Sequence, residues 1–200
     1  MTRIYSLDFS LLPDISFFES RPIRIMLPDD LEMKLAVLPQ TLERVQGAVM
    51  FAEQSTKQSE PWRSAAFLRA ALADYCSIEE MQKIDSSTST HLQLEDMKNP
   101  LLHLLELMRH LNIHIKTIRA VPHSVSATWG DQATDLDVFV ISNLDANDLA
   151  ALRNGKHYAL PDLQKAVIWF QEAQLHWGAG YLVRVGAESF AHALYAHYKL

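Results

Sequence analysis

Residues 100–118 have the sequence PLLHLLELMRHLNIHIKTI. Their apolar side chains recur at steps of three and four residues, which is the spacing of one face of an α-helix. This stripe consists of Leu101, Leu104, Met108, Leu111, Ile115 and Ile118. Because Leu102, Leu105 and Ile113 add apolar surface elsewhere, the segment predicts a helix that is central in a bundle or lies at an interface.

Helical periodicity continues on both sides of this segment. It predicts a helix over residues 39–57 and another that begins at Pro61, since proline fits the first turn of a helix. The expected buried face of that second helix is Trp62, Ala65, Leu68, Leu72, Tyr75 and Ile78. A long final helix is expected from Pro161, with the buried face Leu163, Val167, Phe170, Trp177 and Tyr181. Its glycines, Gly178, Gly180 and Gly186, predict close helix packing or a kink.

Three shorter stretches depart from this pattern. Residues 22–27 alternate apolar and polar side chains, which predicts a short edge strand. Residues 121–143 alternate on both sides of Gly130-Asp131 and predict a β-hairpin inserted between helices. Residues 145–154 predict a short helix that Gly155 closes.

Length and composition fit one compact domain of the mostly α class. The chain has 200 residues, and its 48% hydrophobic content is enough for a sizeable core. We expect an irregular segment at 1–30 that contains the short strand. A helical bundle then occupies 31–200, with an insertion at about 121–157.

Charge and cysteine content narrow the classes of function. The formal net charge of -6 excludes a strongly basic nucleic-acid footprint, so any RNA contact needs a local positive patch. A single cysteine, Cys76, excludes a disulfide framework within the chain and is expected to be a packed thiol. The N-terminus resembles neither a signal peptide nor a membrane span, which predicts a cytoplasmic protein without a membrane partner.

One pattern in the 100–118 segment carries chemistry. Arg109 is followed by His110 and, after four intervening residues, by His114. This spacing resembles the Arg-x4–6-His motif of HEPN domains, which are helical bundles named for nucleotide binding in higher eukaryotes and prokaryotes. The resemblance covers residues 38–119 and 160–198, and it predicts a HEPN-like bundle with a small inserted hairpin.

The resemblance implies a specific function. Many HEPN proteins are metal-independent ribonucleases that act as toxins or defence effectors, with RNA as substrate, no cofactor, and an antitoxin or regulatory partner. By position, Arg109 would bind the scissile phosphate, His114 would be the general acid or base, and His110 would assist. The family site forms in a homodimer, here through the helix at 100–119. A toxin subgroup has a modified tyrosine where this chain has Lys116, so that mode of neutralisation is not expected.

The residue types suit this chemistry independently of the family. Histidine titrates near neutral pH and can take the proton of a 2′-hydroxyl, while arginine binds phosphate oxygens and stays charged. On an ideal helix, five residues separate Arg109 from His114 by roughly 140°. Convergence on one phosphate therefore needs a distorted helix or two copies of the chain.

Three alternatives use the same chain. His103, His110 and His114 share one side of the helix and suit zinc, although the glutamate of a zinc-protease motif is missing. Asp135 and Asp137 resemble the paired carboxylates that hold Mg²⁺ in nucleotidyltransferases, although an exposed hairpin strand also explains them. Finally, a non-catalytic bundle of the same shape would bind a partner protein or a nucleotide, and the acidic net charge favours this alternative.

Overall fold

The computed structural model describes residues 4–14, 27–86, 91–129 and 132–200. Within these ranges it has six α-helices and one two-stranded antiparallel sheet. The helices are α1 Asp29–Leu35, α2 Pro39–Thr56, α3 Pro61–Asp85, α4 Pro100–His114, α5 Ala146–Ala151 and α6 Leu160–Tyr198. The strands are β1 Ala120–Trp129 and β2 Gln132–Ile141, and short 3-10 helices lie at Phe9–Leu11, Leu94–Asp96 and Asn154–His157. The predicted mostly α fold with an inserted hairpin is confirmed.

Helix α4 is central in the bundle. It packs against α3 and α6, while α2 packs against the same two helices. Its apolar residues from Leu101 to Leu111 are all nearly inaccessible to solvent. The apolar surface between Leu101 and Leu111 is therefore covered within the chain, whereas Ile113 and Ile115 beyond it are exposed. Such burial contributes about 1.5–3 kcal/mol for each large apolar side chain.

The end of α4 differs from the prediction. The apolar stripe predicted helix as far as Ile118, but α4 ends at His114. The backbone N–H groups of Ile115 and Lys116 both donate to the Leu111 carbonyl, and the Asn112 side chain accepts from Ile118 N at 3.1 Å. Asn112 thus takes the donor that would bond to the His114 carbonyl in a continued helix. Beyond the end of α4, Ile115 is exposed and Ile118 is buried.

Two other predictions, the buried face of α3 and the end of the short helix at 145–154, are wrong in part. Trp62 does not belong to the buried face of α3, because it is 65% exposed and its ring lies beside the Arg63 guanidinium. The other five predicted residues of that face are buried. The predicted helix at 145–154 ends at Ala151 instead, and Gly155 lies in the following 3-10 helix without a positive φ. Its lack of a side chain allows close approach to the Leu149 carbonyl.

The glycines of α6 explain its shape and packing. Gly178 has φ +76°, a left-handed conformation that breaks the helix and that glycine adopts without steric cost. Gly180 lies against α2, where a Cβ would come within 2.6 Å of the Ala52 carbonyl oxygen. Gly186 lies against Leu105 of α4. Both predicted roles, close packing and a kink, are confirmed.

The hairpin is attached to the bundle at its base. Ala120 pairs with Ile141, and the antiparallel register continues to Trp129 opposite Gln132. The Gln174 carboxamide accepts from Ile141 N at 2.7 Å and donates to Ile141 O at 3.1 Å, as the peptide group of a neighbouring strand would. The inserted segment is therefore fixed to α6.

Two predictions concern residues outside the described ranges. They are the edge strand at residues 22–27, of which Leu27 alone is described, and the turn at Gly130-Asp131. Among the described residues, no helix combines the length and apolar character needed to cross a membrane.

Candidate functional site

A cleft of about 320 Å³ opens between α3 and α4. Helix α3 contributes Glu79 and Glu80 to its lining, and α4 contributes Glu106, Arg109 and His110. Spacings of three and four residues place the α4 side chains on one side of the helix, away from its apolar stripe. The motif arginine and the histidine that follows it therefore face the same solvent-open space.

Arg109 is the cation of this cleft. Its side chain is half-buried, and its Nε is buried without a hydrogen-bond partner. In the described part of the chain, no residue forms an ion pair or a hydrogen bond with its guanidinium, although three glutamates line the same cleft. A buried donor without a partner costs free energy, which a bound anion would recover.

His110 lies beside Arg109 with several polar neighbours. Its Nε2 is 3.4 Å from Nδ2 of Asn154 and 3.7 Å from Oε1 of Glu106. Burial lowers the pKa of His110, and the nearby Arg109 and His114 lower it further. A neutral His110 at physiological pH has a lone pair that can accept a proton.

Glu106 is the carboxyl group that approaches His110. Its Oε1 accepts a hydrogen bond from Nδ2 of Asn154 at 3.3 Å. Burial raises the pKa of Glu106, and the negative charge of Glu79 raises it further. The cleft thus combines a carboxyl group that is easily protonated with a histidine that is easily deprotonated.

His114 lies outside the wall of this cleft. It is exposed on the last turn of α4, and its ring is parallel to that of His110, with centroids 6.0 Å apart. The structure therefore brings Arg109 and His110 together in one cleft and places His114 one helical turn beyond them.

The alternative metal sites find little support in the geometry. Both ring nitrogens of His103 are occupied, Nδ1 by the Tyr158 hydroxyl and Nε2 by the Met97 carbonyl, each at 2.8 Å. Asp135 and Asp137 are exposed on β2, and Asp135 accepts a hydrogen bond from Ser126. Across the described ranges, no group of three or more His, Cys, Asp or Glu residues is arranged to hold a metal ion.

Cys76 also lines the cleft, but it is not a candidate nucleophile. Burial raises the pKa of its thiol far above the usual range, and Glu106 raises it further. A thiol that stays protonated is a poor nucleophile. Cys76 is half-buried and packs against the hydrophobic core, as expected for a packed thiol.

Two residues of the site were not predicted from the sequence. Glu106 lies one helical turn before His110, a spacing that indicates contact on a helix. Asn154 carries no comparable signal, because it is 44 residues from His110 and reaches the cleft only through the fold of the inserted segment.

Comparisons of the chain with protein-family models, curated proteins and solved structures find no match. Function is therefore inferred from the chemistry of the cleft.

Proposed function

We propose that this chain is a metal-independent RNA endonuclease of the HEPN type that acts as a toxin or an anti-phage effector. The observation that supports this most directly is the Arg109 guanidinium, which faces an open cleft beside His110 and has no partner among the described residues. Arginine binds phosphate oxygens through two parallel hydrogen bonds, and histidine transfers protons near neutral pH.

The proposed reaction needs a base, an acid and a cation. His110 takes the proton of the ribose 2′-hydroxyl, and the resulting oxyanion attacks the adjacent phosphorus. Arg109 stabilises the negative charge that develops on the phosphoryl oxygens. His114, in its protonated form, gives a proton to the departing 5′-oxygen as the P–O bond breaks. The products are a 2′,3′-cyclic phosphate and a free 5′-hydroxyl.

The active form is proposed to be a homodimer, with residues 100–119 at or near the interface. Its apolar stripe is buried within the chain except at Ile115, so the proposal depends on the separate directions of Arg109 and His114 and on the exposed Ile113 and Ile115 side chains. In a dimer, His114 of the second copy would approach the cleft of the first. A neutralising antitoxin or regulatory protein would bind over the same surface.

A second candidate is favoured by the charge of the cleft. Glu79, Glu80 and Glu106 outnumber Arg109 there, and carboxylates repel phosphate. A non-catalytic bundle would use such a cleft to bind a basic segment of a partner protein. The raised pKa of Glu106 reduces this repulsion, because a carboxyl group that is more readily protonated carries its negative charge less of the time.

Expression in a bacterial host tests the proposal. Wild type is expected to arrest growth and cut cellular RNA, while Arg109→Ala does neither and stays folded. The exposed Arg63→Ala, in the first turn of α3 and far along that helix from the cleft, is the matched control and should behave like wild type. Purified wild type should cut RNA equally well in EDTA, since arginine and histidine suffice for 2′-hydroxyl attack. Healthy cells with intact RNA, together with a pull-down of a basic partner, would support the second candidate instead.

A further inference from the structure

We propose that Asn154 of the inserted segment positions His110 for proton abstraction by donating a hydrogen bond to its Nε2, an inference that rests on the proposed function. The insertion thereby becomes part of the site. Asn154 lies in the 3-10 helix Asn154–His157, outside the regions that resemble HEPN domains.

The geometry assigns Asn154 two simultaneous contacts. Its Nδ2 donates to Oε1 of Glu106 at 3.3 Å and lies 3.4 Å from Nε2 of His110. An amide nitrogen carries two hydrogens, so one can point to each neighbour. The opposite orientation of the carboxamide would place its oxygen against the Glu106 carboxylate, two acceptors facing each other.

These contacts decide which nitrogen of His110 carries the proton. The amide nitrogen of Asn154 can only donate, so Nε2 of His110 accepts and the ring proton resides on Nδ1. The Nε2 lone pair is the one that would take the 2′-hydroxyl proton. Since the contact is long, an incoming hydroxyl can displace it while the bond between Asn154 and Glu106 remains.

Asn154 also keeps His110 from pairing with Glu106. If His110 were protonated on Nε2, its N–H would face the Glu106 carboxylate at 3.7 Å and form an ion pair. An ion pair of this kind favours the charged histidine and removes the base. The Asn154 amide occupies the same carboxylate oxygen and so competes with that arrangement.

The other charged groups around His110 include some that lower its pKa and some that would raise it. On α4, Arg109 and His114 lower its pKa. Across the cleft, Glu79 and Glu80 of α3 line the same space, where a negative charge would favour the protonated histidine. From the inserted segment, His157 lowers the pKa of Glu106. The Asn154 amide donates to Nε2 and so disfavours a proton on that nitrogen. It therefore acts on the His110 pKa in the same direction as burial, Arg109 and His114.

The turn that carries Asn154 is held in place. The His157 carbonyl accepts from Tyr5 N at 2.8 Å, and the Tyr158 hydroxyl bonds to His103 at 2.8 Å in the core of the bundle. Gly155 fits closely against the Leu149 carbonyl. A positioning residue needs such support, because small displacements weaken a hydrogen bond that is already long.

The test measures His110 by NMR titration of its ring Cε1–H signal in the intact chain. Asn154→Ala should raise the His110 pKa by about half a unit or more, since a lost hydrogen bond is worth that much. The acid limb of the kcat/KM profile for RNA cleavage should move upward by the same amount. Asn154→Asp adds a carboxylate and should raise the pKa further.

A control variant and a replacement variant accompany this test. Asn147→Ala removes an exposed asparagine of the same insertion and should leave the His110 titration unchanged. Asn154→Ser serves if Asn154→Ala fails to fold, as judged by thermal melting. An Asn154→Ala titration identical to wild type would overturn the inference, as would a shift in His110 without one in the acid limb. If wild type cuts no RNA, the proposed function fails, and the titration alone decides whether Asn154 holds His110.

Discussion

The imidazole rings of His110 and His114 lie parallel, with 11° between their planes and 6.0 Å between their centroids. Only His110 shares the cleft with Arg109, and His114 is exposed to solvent. Burial and Arg109 lower the pKa of His110, and a positive charge on His114 lowers it as well. The unprotonated form of His110 is therefore favoured, and this is the form that the proposed base requires.

Substrates with different leaving groups should distinguish the roles of His110 and His114. His110→Gln and His114→Gln should each reduce RNA cleavage by about 10²–10⁴-fold. A substrate with a nitrophenolate leaving group needs no acid, so it should restore cleavage by His114→Gln but not by His110→Gln. Steady-state kinetics with both substrates measures this, and the exposed His192→Gln is the matched control. Restoration of the His110 variant instead would reverse the two roles.

Mixing two inactive variants tests the proposed dimer. Arg109→Ala and His114→Gln, each inactive alone, should recover roughly a quarter of wild-type activity after mixing, because half the dimers are mixed and each has one complete site. Light scattering should show a dimer at micromolar concentration. A monomer, or a mixture without recovered activity, would contradict a site shared between two copies.

His103 should make the fold sensitive to acid. Burial lowers the pKa of His103 below its usual value of 6.5. The unfolded chain then binds more protons than the folded chain just below pH 6.5, so this contribution to stability is present above that pH and is lost as the pH falls. Thermal melting from pH 7.5 to 5 should show a smaller decrease in Tm for His103→Gln than for wild type. Equal decreases would mean that His103 does not titrate in this range.

Gly180→Ala should destabilise the bundle. The new Cβ would lie 2.6 Å from the Ala52 carbonyl oxygen. This oxygen is a backbone atom of α2, so it cannot move aside as the end of a flexible side chain can. Overpacking of this kind costs about 1–3 kcal/mol, more than the gain of about 1 kcal/mol when alanine replaces glycine in a helix. The Tm should fall by roughly 2–4 °C for each kcal/mol lost. Gly47→Ala, where the Cβ meets only the Asp74 side chain, is the control and should cost less.

The central helix was predictable because its apolar repeat is a property of the sequence alone. Its end was not, since the side chain of Asn112 replaces a backbone hydrogen bond there without breaking the repeat. Trp62 follows the helical period, yet it is exposed. Periodicity shows to which side of the helix a side chain points, but not whether a neighbouring element extends far enough to cover it.

The candidate site, like the fold, was predictable from the sequence only in part. Arg109 and His110 are adjacent in the sequence, so their common cleft follows from local spacing. The contact of Asn154 with His110 depends on the path of the insertion, and no local pattern encodes that path.

The break at Gly178 links the long helix to the hairpin. Val138 and Phe139 of β2 lie against Gly178, where a Cβ would be 3.2 Å from Val138 and 3.3 Å from the Phe139 carbonyl oxygen. The hairpin thus occupies space that a side chain at this position would otherwise fill. Glycine at this position and the presence of the hairpin should therefore be inherited together. A relative that lost the hairpin would have no reason to retain glycine there, and its final helix should be continuous.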